Sequence, residues 1–114
     1  MFARISHARY PPEQYDAGLR VVKEDLLPAF RQAPGYRGCC FLTGSKPGYG
    51  LAMVVWETEE AADAASADRT VSAAHVNLAS LGLTIESRQI FELVVNDELF
   101  PELSGNPGRE RSSR

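Results

Sequence analysis

The sequence predicts one α+β domain with the element order β-α-β-β-α-β. Short runs that alternate apolar and polar residues are separated by stretches whose apolar residues recur at three and four, and Gly or Pro marks most junctions. A length of 114 residues, with 44% hydrophobic and 24% charged side chains, suits a single globular domain.

Residues 2–10 alternate as a first strand, with Ala3, Ile5, His7 and Arg9 on one face and Arg4, Ser6, Ala8 and Tyr10 on the other. Pro11-Pro12 stops it. Tyr15, Leu19, Val22, Leu26 and Phe30 then draw one helical stripe at offsets of four, three, four and four. Pro28 lies inside that stripe and lacks the N–H that would bond the Glu24 carbonyl, so a kink or an early end is expected near Leu26 or Leu27. Pro34-Gly35 closes the segment.

Residues 36–43 read as the second strand and 51–57 as the third, joined as a hairpin by the glycine-rich connector 44–50. Thr58 is placed to cap the next helix, with Glu59 and Glu60 where a first turn favours negative charge. Residues 66–70 carry an interruption signal. Beyond them Val71, Ala74, His75, Leu78 and Leu81 form another stripe, which Gly82 terminates. Residues 84–95 alternate as the last strand, with Ile85, Ser87, Gln89, Phe91 and Leu93 expected on one side. The domain is thus expected over 1–95. Residues 96–114 form a tail, one docked short turn followed by a segment of disorder-prone composition.

Strand-helix-strand, hairpin, helix-strand is the split β-α-β arrangement of ferredoxin-like folds, with one antiparallel sheet carrying its helices on a single face. A domain this small covers its open sheet face efficiently by pairing with a second copy, so a homodimer is expected.

Fifteen acidic against twelve basic residues give a net charge of −3, with no basic run in the folded part to neutralise a line of phosphates. Nucleic acid is therefore not an expected partner. No stretch approaches the roughly 20 apolar residues of a membrane span and the N-terminus lacks an apolar signal core, so a cytoplasmic protein away from the membrane is expected. Cys39 and Cys40 are adjacent and point to opposite faces of a strand, which makes a disulfide between them geometrically poor. Reduced thiols are expected. Two separated histidines do not make a metal cluster.

Several side chains carry chemistry. His75 sits on an apolar stripe, where an imidazole needs either a ligand or a hydrogen-bond partner in the core. His7 shares a strand face with Ile5 and titrates in the range that suits a base, with solvation at the sheet as its alternative. Trp56 either fills the core or stacks on a ligand. Arg88, read on one face with Glu86 and Glu92, suggests cross-strand ion pairs, with a substrate carboxylate as the alternative partner.

The segments Leu26-Leu27-Pro28-Ala29-Phe30, Pro34-Gly35-Tyr36-Arg37-Gly38, Val55-Trp56-Glu57-Thr58-Glu59-Glu60-Ala61 and Ala73-Ala74-His75 resemble the antibiotic biosynthesis monooxygenase family of dimeric α+β barrels. The resemblance covers roughly residues 2–95. It implies a homodimer that oxidises a small electron-rich aromatic or quinol in a dry pocket between helices and sheet. No metal, flavin or other cofactor is implied, because the deprotonated substrate itself supplies electrons to oxygen. On that reading His75 and His7 are the catalytic candidates, and Trp56, Tyr36 and Phe41 the substrate-binding ones.

A second branch to which the sequence is similar, the haem-degrading monooxygenases, places a proximal histidine at a spacing like that of His75, 19 residues after Trp56. The second tryptophan of that branch is here Ala65, and its strand asparagine is here His7. Haem binding and a non-catalytic dimer that holds a small apolar ligand are the alternatives to an oxygenase.

Overall fold

The computed structural model describes residues 1–97. In chain order these form β1 (Phe2–Arg9), a 3-10 turn (Pro12–Gln14), α1 (Tyr15–Val21), a π-helical turn (Val22–Leu26), α2 (Leu27–Gln32), β2 (Tyr36–Thr43), β3 (Tyr49–Trp56), α3 (Glu59–Ser66), α4 (Arg69–Ser80) and β4 (Thr84–Glu92). The strands make one sheet of order β2-β3-β1-β4 in which every pairing is antiparallel. This is the ferredoxin-like arrangement the sequence predicts. Of the tail expected over 96–114, only Asn96 and Asp97 fall among the described residues.

Pro28 does not bring the first helical stretch to an early end. The chain stays helical from Tyr15 to Gln32, because the π turn accommodates the proline. The Leu27 N–H bonds the Val22 carbonyl five residues back, and Pro28 then occupies the first turn of α2, where its missing N–H costs little. The π turn also corrects a drift. The stripe from Tyr15 to Phe30 advances fifteen residues over four turns, which on a pure α-helix would rotate by about 60°. One wider turn returns all five apolar residues to the same side.

The two helices after β3 begin on side-chain caps. Thr58 Oγ1 accepts from the Ala61 N–H at 3.0 Å, and Asp68 Oδ1 accepts from the N–H groups of Thr70 and Val71 at 2.8 and 3.0 Å. Each oxygen satisfies donors that the first turn cannot. The interruption signalled at 66–70 is therefore a two-residue break, Ala67-Asp68, between α3 and α4. Gly82, at φ 95°, ends α4 while Leu83 N–H reaches back to the Leu78 carbonyl at 3.2 Å.

The core lies between these helices and one face of the sheet, around Leu26, Phe30, Trp56, Val71, Ala74 and Leu78. Phe30 meets Trp56 edge-on, with centroids 5.8 Å apart. Gly35, at φ 85°, joins α2 to β2 where a Cβ would stand 2.6 Å from that of Ala61, so α3 packs directly on this turn.

A bulge in β4 alters one expectation. Ile85 pairs with Ala8 and Ser87 with His7, which leaves Glu86 as the extra residue. Alternation resets across it: Ile85 and Arg88 turn towards the helices, whereas Ser87, Gln89 and Phe91 stay with His7, Ile5 and Ala3 on the far face. No helix among the described residues is long and apolar enough to cross a membrane.

Candidate functional site

Between the helices and the sheet lies a cavity of about 230 Å³. Its floor comes from alternate residues of the central strands: Arg4, Ser6, Ala8 and Tyr10 of β1, with Gly50, Ala52, Val54 and Trp56 of β3. Its roof is the apolar stripe Tyr15, Leu19, Val22, Leu26 and Phe30, with Val71, His75 and Leu78 of α4 beside it. The volume falls just below the roughly 300–1,000 Å³ of drug-sized ligand sites, which suits one or two fused rings.

Few polar groups interrupt this lining. At one end the Arg4 guanidinium donates to Ser66 Oγ at 2.6 Å and to Asp63 Oδ1 at 2.9 Å, tying β1 to α3. At the other, the Tyr10 and Thr43 hydroxyls meet at 2.8 Å. Ser6 and Arg88, which are paired across β1 and β4, lie between these ends and share the cavity with His75.

Burial pushes the His75 imidazole below its ordinary pKa, and the nearby Arg88 charge acts in the same direction. A hydrogen bond to the Val71 backbone opposes both. The balance favours neutral imidazole near pH 7, the form that accepts a proton.

Arg88 does not make the cross-strand pairs expected from the sequence. The bulge sends Glu86 to the far face, where its Oε2 accepts from Arg9 Nε at 3.0 Å. Among the described residues Arg88 has no ion pair or hydrogen bond.

The structure separates the other candidates. Trp56 lines the cavity at 2% exposure, and Phe41 lines it at 36%, near the mouth. Tyr36 stands outside: its hydroxyl donates to Cys39 Sγ at 3.3 Å and its ring stacks on Phe30. His7 is on the far face of the sheet, with Nδ1 2.8 Å from the Tyr49 hydroxyl. Within one chain His7 and His75 thus cannot flank a common ligand. Burial raises the pKa of both half-buried thiols, Cys39 and Cys40, which disfavours a thiolate nucleophile. Among the described residues no group of three or more His, Cys, Asp or Glu is placed to hold a metal ion.

Arg4 and Ser6 are polar cavity residues that sequence reasoning passed over as candidates, and Arg88 is one that it read first as an ion-pair partner. Arg4 and Ser6 were legible in principle, being polar residues on the strand face that the helices must cover. The bulge hid only that Glu86 and Arg88 lie on opposite faces.

No protein-family model matches the sequence, and no curated protein matches it. Solved structures do match. The cofactor-independent oxygenase SnoaB from Streptomyces nogalater superposes with a TM-score of 0.66 at 16% identity, over 83% of this chain and 94% of its own. A protein from Deinococcus radiodurans assigned as an antibiotic biosynthesis monooxygenase gives 0.71 at 19%, over 87% and 98%. HapK from Hahella chejuensis gives 0.72 at 14%, over 85% and 96%.

The chain has the fold of the antibiotic biosynthesis monooxygenases. At these identities the monooxygenase fold is what is shared, and the chemistry has to be argued from the cavity.

Proposed function

We propose that the protein is a cofactor-independent monooxygenase that oxidises a small electron-rich aromatic, a phenol or quinol, in the cavity between helices and sheet. The observation that carries this reading is the neutral imidazole of His75, set in an apolar cavity beside the unpaired Arg88. The likeness to a cofactor-independent oxygenase supports it.

His75 takes the phenolic proton, and the Arg88 charge favours the phenolate that forms. The electron-rich ring carbon then gives electrons to dioxygen and forms a C–O bond. Loss of water from the resulting peroxide leaves a carbonyl, so a phenol with a free ring C–H and one O₂ give a quinone and one H₂O. Substrate carbon supplies all four electrons, and no external reductant is required. The apolar walls keep bulk water from the anion and from the peroxide. Trp56 and Phe41 offer ring faces and edges to the substrate.

The protein acts as a homodimer in this proposal, with apolar residues of the far sheet face, such as Ile5, Met53 and the half-exposed Phe91, set against a second copy. Oxygen-electrode assays with phenols and quinols test the chemistry: uptake by the wild type and none by His75→Ala is expected. A protein that retains an aromatic ligand yet consumes no oxygen is a binding protein instead, and the oxygenase reading fails.

A further inference from the structure

We infer that the cavity selects a ligand that is already anionic when it enters, an aromatic carrying a carboxylate, and that Arg88 is the residue that anchors this group. The inference deepens the proposed function and rests on the same cavity being the substrate site.

Charge accounting inside the cavity is the basis. Among its lining residues there is no Asp and no Glu, while Arg4, Arg88 and His75 are present. Arg4 is neutralised by Asp63 at 2.9 Å. Glu86, two residues before Arg88, is engaged with Arg9 on the far face. With His75 neutral, the one positive charge of the lining that has no counter-ion among the described residues belongs to Arg88. Arg88 is exposed, so its guanidinium stands at the solvent side of the cavity, and a planar carboxylate is the group its donor fork fits in two parallel bonds.

The phenol alone does not answer this need. Its proton moves to His75 when the phenolate forms, so the cavity's charge is unchanged by that transfer and stays at one positive unit. A separate carboxylate brings the resting complex to neutrality before any proton moves. It also fixes the ring's orientation, because Arg88 stands on β4 opposite Ser6 whereas His75 approaches from α4. Of the acidic substituents an aromatic can carry, carboxylate matches a single guanidinium in charge and shape, whereas a phosphate would leave further charge unmatched.

The test compares 1-hydroxy-2-naphthoate with 1-naphthol by titration calorimetry on the wild type, Arg88→Gln and Arg88→Lys, with oxygen uptake recorded separately. The wild type should bind the acid at least about tenfold more tightly than the naphthol, a ratio equal to about 1.4 kcal/mol. Arg88→Gln should remove this preference by weakening the acid far more than the naphthol, and Arg88→Lys should keep part of it. Equal binding of the two by the wild type, a preference that survives in Arg88→Gln, or no binding of either would overturn the inference. Preference for the acid without oxygen uptake leaves the anchor standing and removes the oxygenase reading. Oxygen uptake with no preference does the reverse.

Discussion

On the sheet face away from the helices, His7 Nδ1 stands 2.8 Å from the hydroxyl of Tyr49, a side chain whose ring also lies under the Arg9 guanidinium at 5.2 Å. The sheet therefore divides the two histidines of the chain, His7 behind it and His75 in the cavity. Their substitutions should separate accordingly. His75→Ala should lower kcat for oxygen uptake by about 10²–10⁴-fold, the usual worth of a positioned base, while His7→Gln should keep wild-type turnover. Loss of activity in His7→Gln with a normal His75→Ala would move the base to the other face.

A pH dependence follows from His75, whose pKa is lowered first by burial and second by Arg88. Between the folded and unfolded values the unfolded chain binds more protons, so stability rises with pH through that window. The contribution is fully present above the unfolded imidazole value of about 6.5 and is lost as pH falls through the lowered folded value. Melting curves from acid to neutral pH should show a smaller acid loss in His75→Gln than in the wild type.

The same group should set the acid limb of the rate profile. The midpoint of kcat/KM for the wild type should lie below the ordinary imidazole range, and Arg88→Gln should raise it by removing one of the two lowering causes. Proton NMR of the His75 ring reports the same shift without turnover. A midpoint that is unmoved in Arg88→Gln would mean that Arg88 does not act on His75.

Two glycines should respond in opposite directions. Gly35→Ala places a methyl 2.6 Å from the Ala61 Cβ in a left-handed conformation, so a loss of about 2–3 kcal/mol is expected. Gly18 sits inside α1, and a Cβ there would be 4.0 Å from Leu78 Cδ2, an ordinary contact. Gly18→Ala should stabilise by about 0.5–1 kcal/mol, yet weaken aromatic binding because the position lines the cavity. Urea titrations with an unchanged slope check both values.

Asp68 serves two N–H groups with one carboxylate oxygen at the start of the helix that carries His75. Asp68→Ala should cost about 1–2 kcal/mol, and Asp68→Asn much less. Equal midpoints for all three proteins in a denaturant titration would show that the cap is not a source of stability.

Most of the architecture was readable because each junction carries its own chemistry: Thr58 caps, Gly82 terminates, and Pro34-Gly35 turns the chain. The faces of β1 were readable for the same reason, since strict alternation leaves only two choices, and Arg4, Ser6, Ala8 and Tyr10 share the cavity. Glu86 marks where local reading stops. A bulge is fixed by how β4 meets β1, and nothing in the sequence around Glu86 announces the extra residue, so Ile85 and Glu86 were assigned to the wrong faces and Arg88 was given Glu86 as a partner. Pro28 shows the complementary case. The missing donor was evident, but whether a helix breaks or widens around it depends on the apolar stripe that the sheet holds in place. His75 was found as an inward imidazole, whereas the charge beside it, Arg88, comes from the following strand, whose facing the bulge sets.

The π turn makes cavity shape depend on chain length as well as on residue identity. Deleting one residue between Val22 and Leu26 would let an ordinary α-helix run through to Pro28 with the upstream phase almost unchanged, whereas inserting one there with the π turn kept would turn everything upstream by about 100° relative to Leu26 and Phe30. If α2 keeps its hold on Trp56, then Tyr15 and Leu19 leave the roof and the pocket loses a wall while the core around the indole survives. Native tryptophan emission together with lost aromatic binding would be the signature of that rearrangement. Insertions at this turn thus offer a way to reshape the ligand space that leaves every lining residue unchanged.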